Sequence, residues 1–425
     1  MAAADDPHAV LSVPVDEIAR PAVEGPTPIA PALPATSYGA LLNFIRSRPG
    51  LTRAQLLATT GMSRTTLFER LEVLFRHGYV YQDGSAPAGS GERRPGRRSE
   101  LLRWDTRDKV AIVLDLGQTH ARICVTSVGG QPLRARELPA DIHTDPTEYL
   151  ATIFEIADVL LRAGRGETLI GVAVGIPAPI NPVTGGLGAT TAMMAPWEGY
   201  PLLEALSARW QVPAVIENDA RAFALGESSV LGPGRAVLAV KYATGIGAGI
   251  VDAGHVLAGA DGAAGDIGHI RITDDGPVCT CGRHGCLASW ASGQALIRRL
   301  EPRGVRTLWD IVDRVASDDP EVCTVVDEAV TRLSRVLSTV VAAANPDALV
   351  LGGVLGRMPR VVAKVEELIR EDVAERARHR LRVSAAHLGP DGSVVGLTRK
   401  LVDLVYAPTA IDAAILGSVA NTETP

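Results

Sequence analysis

Lysine is nearly missing from this chain: Lys109, Lys241, Lys364 and Lys400 are the only four among 42 basic residues. Aromatic residues are also scarce, 4% against 46% hydrophobic overall, so a core must be built from Ala, Val, Leu and Ile. No run approaches the roughly 20 apolar residues that span a bilayer. The amino terminus MAAADDPHAV has no basic stretch followed by an apolar one, so no secretory leader is expected. These absences point to a cytoplasmic chain without membrane contact. Only five cysteines are present, and Cys279, Cys281 and Cys286 cluster while Cys124 and Cys323 stand alone. Without a leader, such a cluster reads as a metal site before it reads as disulfides. Cys124, in an apolar strand-like run, and Cys323, near a helix start, read as buried and inert.

At 425 residues the chain has room for two or three domains and a large core. Its net charge of −6 conceals a polarity. Residues 1–35 carry one Arg and five acids, whereas residues 36–109 carry 12 Arg and one Lys against seven acids, a local +6. A basic segment inside an acidic chain is the electrostatic footprint of a DNA-binding module, although a solvated charged face gives the same count.

Pattern separates the two. Residues 1–36, with PTPIAPALP and no periodicity, read as a flexible tail. Helical spacing begins at Tyr38, Leu41, Leu42 and Ile45 and stops near Pro49-Gly50. Thr52 and Gln55 fit a capping box opening a short helix closed by Gly61. Ser63 can cap the next helix, where Leu67, Leu71 and Leu74 repeat at helical spacing and Gly78 supplies the stop. Two short helices joined by a Gly-containing turn form a helix-turn-helix. Val80–Gln82 and Leu101–Trp104 then read as strands around a basic loop, a wing. Its Arg93, Arg94, Arg97 and Arg98 flank Pro95-Gly96 and are slim enough for a narrow A·T-rich minor groove. Arg64, Thr65, Thr66 and Arg70 are the candidate recognition-helix face, with Arg53 and the wing arginines on phosphates.

From Lys109 strands alternate with helices, an α/β pattern. Val110–Leu116 is an apolar strand, and Asp145-Pro146-Thr147-Glu148 opens a helix with an N-cap and Pro at N1. AIVLDLGQTHARICV (111–125) and AVLAVKYATGIGAGIV (236–251) form a weak internal repeat: buried strand, Gly/Thr turn, second strand. Two such halves imply a duplicated, two-lobed fold with a cleft between the lobes.

His269, Cys279, Cys281 and Cys286, spaced H-x9-C-x-C-x4-C, complete the shell of a structural zinc site, and Gly282 and Gly285 allow the tight return. A reduced cysteine-rich loop with a chance histidine is the plainer alternative. His284 lies in the same knuckle and reads as exposed. Asp115, Gly117 and Thr119, and then Thr244, Gly245 and Gly247, form turns after strands that can cradle phosphates or be turns only. Gly352-Gly353 follows another strand and can face a base or permit close packing. Asp219, after the strand Val212–Ile216, can act as a general base, while Asn218 and Asp219 are also ordinary helix caps.

Together DLGQT (115–119), GIPAPINPVTG (175–185), ENDARAFALGE (217–227), ATGIGAG (243–249), GDIGHI…CTCGRHGCLASWAS (265–292) and LVLGG (349–353) resemble the ROK family of repressors, open reading frames and kinases. The likeness runs from about residue 36 onward. It implies an α/β, actin-like two-lobed ATPase/sugar-kinase fold preceded by an amino-terminal winged helix-turn-helix, with domains at 37–106 and 107–425. It also implies a sugar in the cleft and a homodimer or homotetramer. By position Asp219 matches the catalytic base, and Asn218, Asp266 and His269 match sugar ligands, His269 also binding zinc. Departures from the family pattern are Ala288 in place of Glu, Asp266 in place of Glu, Gln118 in place of Gly and His120 in place of Lys. Losing a charge-assisted bond to a sugar hydroxyl costs about 1.5–3 kcal/mol, so ordinary hexose binding and ATP use are both weakened. The expected function is a DNA-binding regulator of carbohydrate genes that senses a sugar or sugar phosphate without catalysis. An ATP-dependent sugar kinase and a zinc-stabilised scaffold are the alternatives.

Overall fold

Capping chemistry lays out the amino-terminal elements. The Ser37 hydroxyl accepts from the Ala40 N–H to start α1 (Tyr38–Ser47). Thr52 and Gln55 form the expected capping box at α2 (Arg53–Thr60), which ends at Gly61 in the left-handed conformation, φ 67°. Ser63 accepts from the Thr66 N–H to open α3 (Arg64–Arg76). Leu41, Leu42, Ile45, Leu56, Leu67, Leu71 and Leu74 are all buried, so the three helices share one core. Strands β1 (Leu51–Thr52), β2 (Val80–Ser85) and β3 (Glu100–Trp104) form an antiparallel sheet in the order β1-β3-β2. The pair β2–β3 was expected; two-residue β1 is too short to carry a periodic signal.

This computed structural model describes residues 37–48, 50–85, 100–188, 192–232 and 234–422. The wing arginines Arg93, Arg94, Arg97 and Arg98, and the tail 1–36, lie outside the described residues. The chain divides into two compact units, residues up to Asp105 together with those from Pro408 onward, and Thr106–Ala407. The expected second domain ran to residue 425. The helix Pro408–Thr422 instead joins the first unit, burying Ile411 and Ile415. The Gly39 N–H donates to Asp412 Oδ1 over 2.9 Å. A side chain at Gly39 would begin 2.0 Å from the Pro408 carbonyl oxygen, so only glycine lets the two helices meet here.

In the second unit, β4 (Lys109–Leu116), β5 (His120–Ser127), β6 (Pro132–Pro139), β7 (Thr168–Ile176) and β8 (Ala214–Asn218) form one sheet in the order β6-β5-β4-β7-β8. The first three run antiparallel, whereas β7 and β8 add in parallel. Their crossovers carry helices Pro146–Arg162, capped by Asp145, and Leu202–Trp210. Strands β9 (Val237–Tyr242), β10 (Ile246–Asp252), β11 (His255–Val256), β12 (Ala348–Gly352) and β13 (Arg382–Ala385) repeat the design in the order β11-β10-β9-β12-β13. The weak sequence repeat corresponds to the hairpins β4–β5 and β9–β10, and the two-lobed α/β architecture is the expected one.

The helix Asp219–Leu231 packs between the sheets. Ala222 joins the apolar layer of β4 and β7, while Phe223 and Ala224 join that of β9 and β12. It crosses the helix Gly392–Val405 on bare backbone: side chains at Gly226 and Gly396 would begin 1.9 Å from the Gly392 oxygen and 1.8 Å from the Ala222 oxygen. That contact fixes the helix end that carries Asp219. Among the described residues, no helix is long and apolar enough to cross a membrane.

Candidate functional site

The ends of β4, β8 and β9 meet at a cleft in the second unit, a cavity of about 190 Å³ lined by Asn218, Asp219, Lys241, Asp266, His269 and Ala288 among others. Four of these were expected to gather here. The Asn218 side chain is largely occupied: its oxygen accepts from the Ala220 and Arg221 N–H groups, and its amide donates to the Ala178 carbonyl over 3.2 Å. It is a helix cap with one N–H to spare. Asp219 Oδ1 accepts from the Ala220 N–H over 2.9 Å, and Oδ2 lies 2.9 Å from Lys241 Nζ. Lys241 also lies 3.7 Å from Asp115 Oδ1. Burial works to lower the Lys241 pKa, but the carboxylates of Asp115 and Asp219 outweigh it and raise it, so the amine stays charged.

Lys241 was not among the expected site residues. Its signal was present: a charge inside the apolar strand VLAVKY, in a chain with four lysines. Arg221 was missed as well. It is buried, pairs with Glu217 at 2.8 Å, and donates to the Gly262 carbonyl at 2.6 Å and the Ala258 carbonyl at 3.3 Å. It thereby ties the cleft-lining loop to the helix that carries Asp219.

The two glycine turns face each other across the cleft. A side chain at Gly117 would begin 2.6 Å from the His120 ring, and one at Gly245 would begin 2.9 Å from the Gln118 amide nitrogen. Gln118 and His120, both departures from the family pattern, thus lie against the glycines expected to cradle phosphate. Gly117, Gly245, Gly247 and Thr244 line the cleft. Gly352 and Gly353 do not: Gly352 abuts the Phe223 ring and Gly353 the Tyr242 carbonyl, so close packing accounts for them.

Behind His269 stands the thiol cluster. Ligand atoms of His269, Cys279, Cys281 and Cys286 all lie within 4.8 Å of one another. The Cys281 and Cys286 sulfurs are 3.7 Å apart, and His269 Nδ1 is 3.2 Å from the Cys279 sulfur. Two sulfurs at tetrahedral angles on one zinc stand about 3.8 Å apart, so the four residues fit that ion. The thiols are electrostatically frustrated alone. Burial raises Cys281, but hydrogen bonds from Arg283 and the adjacent cysteines outweigh it and bring it to about 6. Burial and the neighbouring Cys281 and Cys279 push Cys286 up to about 12. A divalent ion relieves that conflict. His269 turns its Nε2 the other way, 3.9 Å from Asp266, so one imidazole borders both knuckle and cleft. The side chain of His284 is exposed, its Nδ1 3.0 Å from the Gly276 carbonyl. Cys124 and Cys323 are buried, and burial pushes the Cys124 thiol up to about 11.

In the first unit, Arg64 and Thr65 are exposed at the amino end of α3. Thr66 is half-buried, its hydroxyl 2.9 Å from that of Ser63, and works as part of the cap. Arg70 turns back, with its guanidinium 4.1 Å from the centre of the Tyr38 ring. Arg53 lies 5.3 Å from the Phe68 ring and 3.8 Å from Glu100. Phe68 is 49% exposed, shares the face of Arg64 and Thr65, and was not expected there.

Residues 39–84 match the IclR helix-turn-helix domain, and residues 111–402 match the ROK family. A Caldicellulosiruptor bescii protein named xylose repressor is 24% identical over 87% of this chain and 96% of its own length. A Halalkalibacterium halodurans protein named glucokinase is 29% identical over 68% of this chain and 94% of its own. A crystal structure described as a ROK family transcriptional regulator, homolog of the E. coli MLC protein, superposes with a TM-score of 0.71 at 22% identity, covering 89% of this chain and 98% of that one. The fold, the ordered motifs and the match over residues 111–402 lead to one assignment: the chain belongs to the ROK family.

Proposed function

We propose that the chain is a DNA-binding transcriptional regulator of carbohydrate-related genes that senses a sugar-like effector in its cleft and transfers no phosphate. The observation that carries this reading is α3. Its exposed Arg64, Thr65 and Phe68 stand within the segment that matches a helix-turn-helix domain, in a chain similar over most of its length to a protein named xylose repressor. Arg and Thr can read base edges in the major groove, and an exposed Phe can meet a thymine methyl. Arg53 and the wing arginines contact phosphates. Zinc bound by His269, Cys279, Cys281 and Cys286 holds the knuckle against the cleft. The effector's hydroxyls bond to Asn218, Asp219, Asp266 and His269, and Ala288 leaves room for a substituted or phosphorylated sugar. In a homodimer two winged helices reach two half-sites, and the ligand shifts DNA affinity by its differential affinity for two states of the protein.

Selection of bound DNA from random sequence, repeated with pentoses, hexoses and their phosphates, tests this. Recovery of a defined operator whose binding one of these ligands alters by tenfold or so is the expected result. Failure to enrich any sequence overturns it. Asp219, with the likeness to a glucokinase, favours a second reading, an ATP-dependent sugar kinase. Asp219-dependent phosphorylation of a sugar would establish that one.

A further inference from the structure

Charge inside the cleft is arranged in an unusual way for a site that handles phosphates. Lys241 emerges from the end of β9 between two acids supplied by different elements: Asp115 from the end of β4 and Asp219 from the start of the helix behind β8. Its Nζ lies 2.9 Å from Asp219 and 3.7 Å from Asp115, and the three side chains are only 17%, 16% and 9% exposed. An ammonium this sheltered is costly unless carboxylates surround it, and two carboxylates that share one ammonium repel once that cation is gone. Each group therefore requires the others. Divalent cations such as Mg²⁺ and Mn²⁺ seek the same donors, carboxylate oxygens, and need an open coordination shell around them. Here the shell is taken up by an amine on a four-carbon stem.

A second feature agrees. The room beside the glycine turns, where a nucleotide's phosphates would carry such a cation, holds the Gln118 amide against Gly245 and the His120 ring against Gly117. The residues present do not fit a metal–nucleotide pair.

We propose that Lys241 is a tethered cation standing in for a divalent ion between Asp115 and Asp219, so that the cleft accepts its ligand with no metal at these two carboxylates and no nucleotide. Asp219 is then an acceptor for a neutral hydroxyl rather than a base: one oxygen holds the Ala220 N–H and the other is paired with Lys241. Removing the amine leaves two adjacent unpaired carboxylates and opens a divalent-cation site that the natural protein lacks. The inference deepens the reading of a sensor without phosphoryl transfer, but its test is independent of DNA binding.

The test is titration of the full-length, zinc-loaded protein with MnCl2 alone, followed by electron paramagnetic resonance of free Mn²⁺. The natural protein and K241R should show no Mn²⁺ binding that depends on Asp219. K241S and K241M should each gain one Asp219-dependent site per chain, and K241S combined with D219N should lose it. Near-ultraviolet circular dichroism verifies that the variants are folded. Asp219-dependent Mn²⁺ binding by the natural protein overturns the proposal, as does folded K241S that gains no site. If both Lys241 variants misfold, comparison of the natural protein with D219N decides: equal, negligible binding supports the tethered cation, and a difference overturns it. DNA binding by the natural protein is unaffected by either result.

Discussion

Gly39 and Asp412, 373 positions apart, are joined by a 2.9 Å hydrogen bond from the Gly39 N–H to the Asp412 carboxylate. Gly39 lies in the first turn of α1, where backbone N–H groups have no partner within the helix and where negative charge is favourable. The last helix of the chain thus caps the first. Asp412→Ala should cost roughly 1–2 kcal/mol of the first unit's stability. Gly39→Ala should cost more, because its methyl meets the Pro408 backbone. Thermal unfolding followed with DNA-binding activity checks both, and a chain ending at Ala407 should lose DNA binding before its cleft loses ligand. Wild-type melting of both variants would refute the capping role of the last helix.

Zinc should be present at one ion per chain in protein purified without added metal. With zinc bound, a thiol reagent should label the natural protein slowly. After chelation, Cys279, Cys281 and Cys286 should react, while Cys124, whose thiol burial pushes up to about 11, and buried Cys323 stay protected until the chain unfolds. His269→Ala should lower zinc affinity and alter ligand response together, since that ring borders both sites. Folded protein free of zinc by elemental analysis would rule out the metal assignment.

On DNA, Arg64→Ala and Thr65→Ala should change base preference, and Phe68→Ala should weaken discrimination for thymine, each by about 1–3 kcal/mol at the affected position. Neutralising Arg93, Arg94, Arg97 and Arg98 should instead weaken binding to most sequences and flatten its salt dependence, with A·T-rich flanks losing most. Arg70→Ala should act chiefly on stability, because its guanidinium packs on Tyr38. Binding measured across a salt series separates these behaviours. A wing variant as tight as the natural protein would remove the minor-groove assignment.

In the cleft, Asp266→Ala should weaken the effector by tenfold or more, the equivalent of about 1.5–3 kcal/mol for a bond to a charged acceptor. Zinc content should be unchanged, since Asp266 lies 3.9 Å from His269 on the side away from the thiols. Asp219→Asn should alter ligand response more than ligand-free DNA affinity, and ATP turnover with hexoses should stay near background. Calorimetry with the effector identified by the sugar panel, beside a coupled ATPase assay, reads all three. Loss of zinc from the Asp266 variant would mean that Asp266 acts on the imidazole rather than on the ligand.

Local chemistry was legible in the residues themselves. The Thr52–Gln55 capping box, the Ser63 and Asp145 caps and the strand Val110–Leu116 are set by neighbours within a few positions, and the four-residue knuckle lies within one short window of sequence, so that spacing reveals the geometry. The repeat at 111–125 and 236–251 was enough to read two lobes. Long-range encounters were beyond its reach. Nothing near Lys241 reveals that β9 delivers it between Asp115 and Asp219, because each of the three rides on a different element. Nothing near Pro408 indicates that its helix leaves the second unit for α1. Whether Arg70 meets solvent or Tyr38 likewise depends on how α1 crosses α3. Backbone hydrogen bonding and capping are local and thus written in order along the chain, whereas charge pairing and the fit of glycine against backbone exist only after packing brings distant segments within a few ångströms.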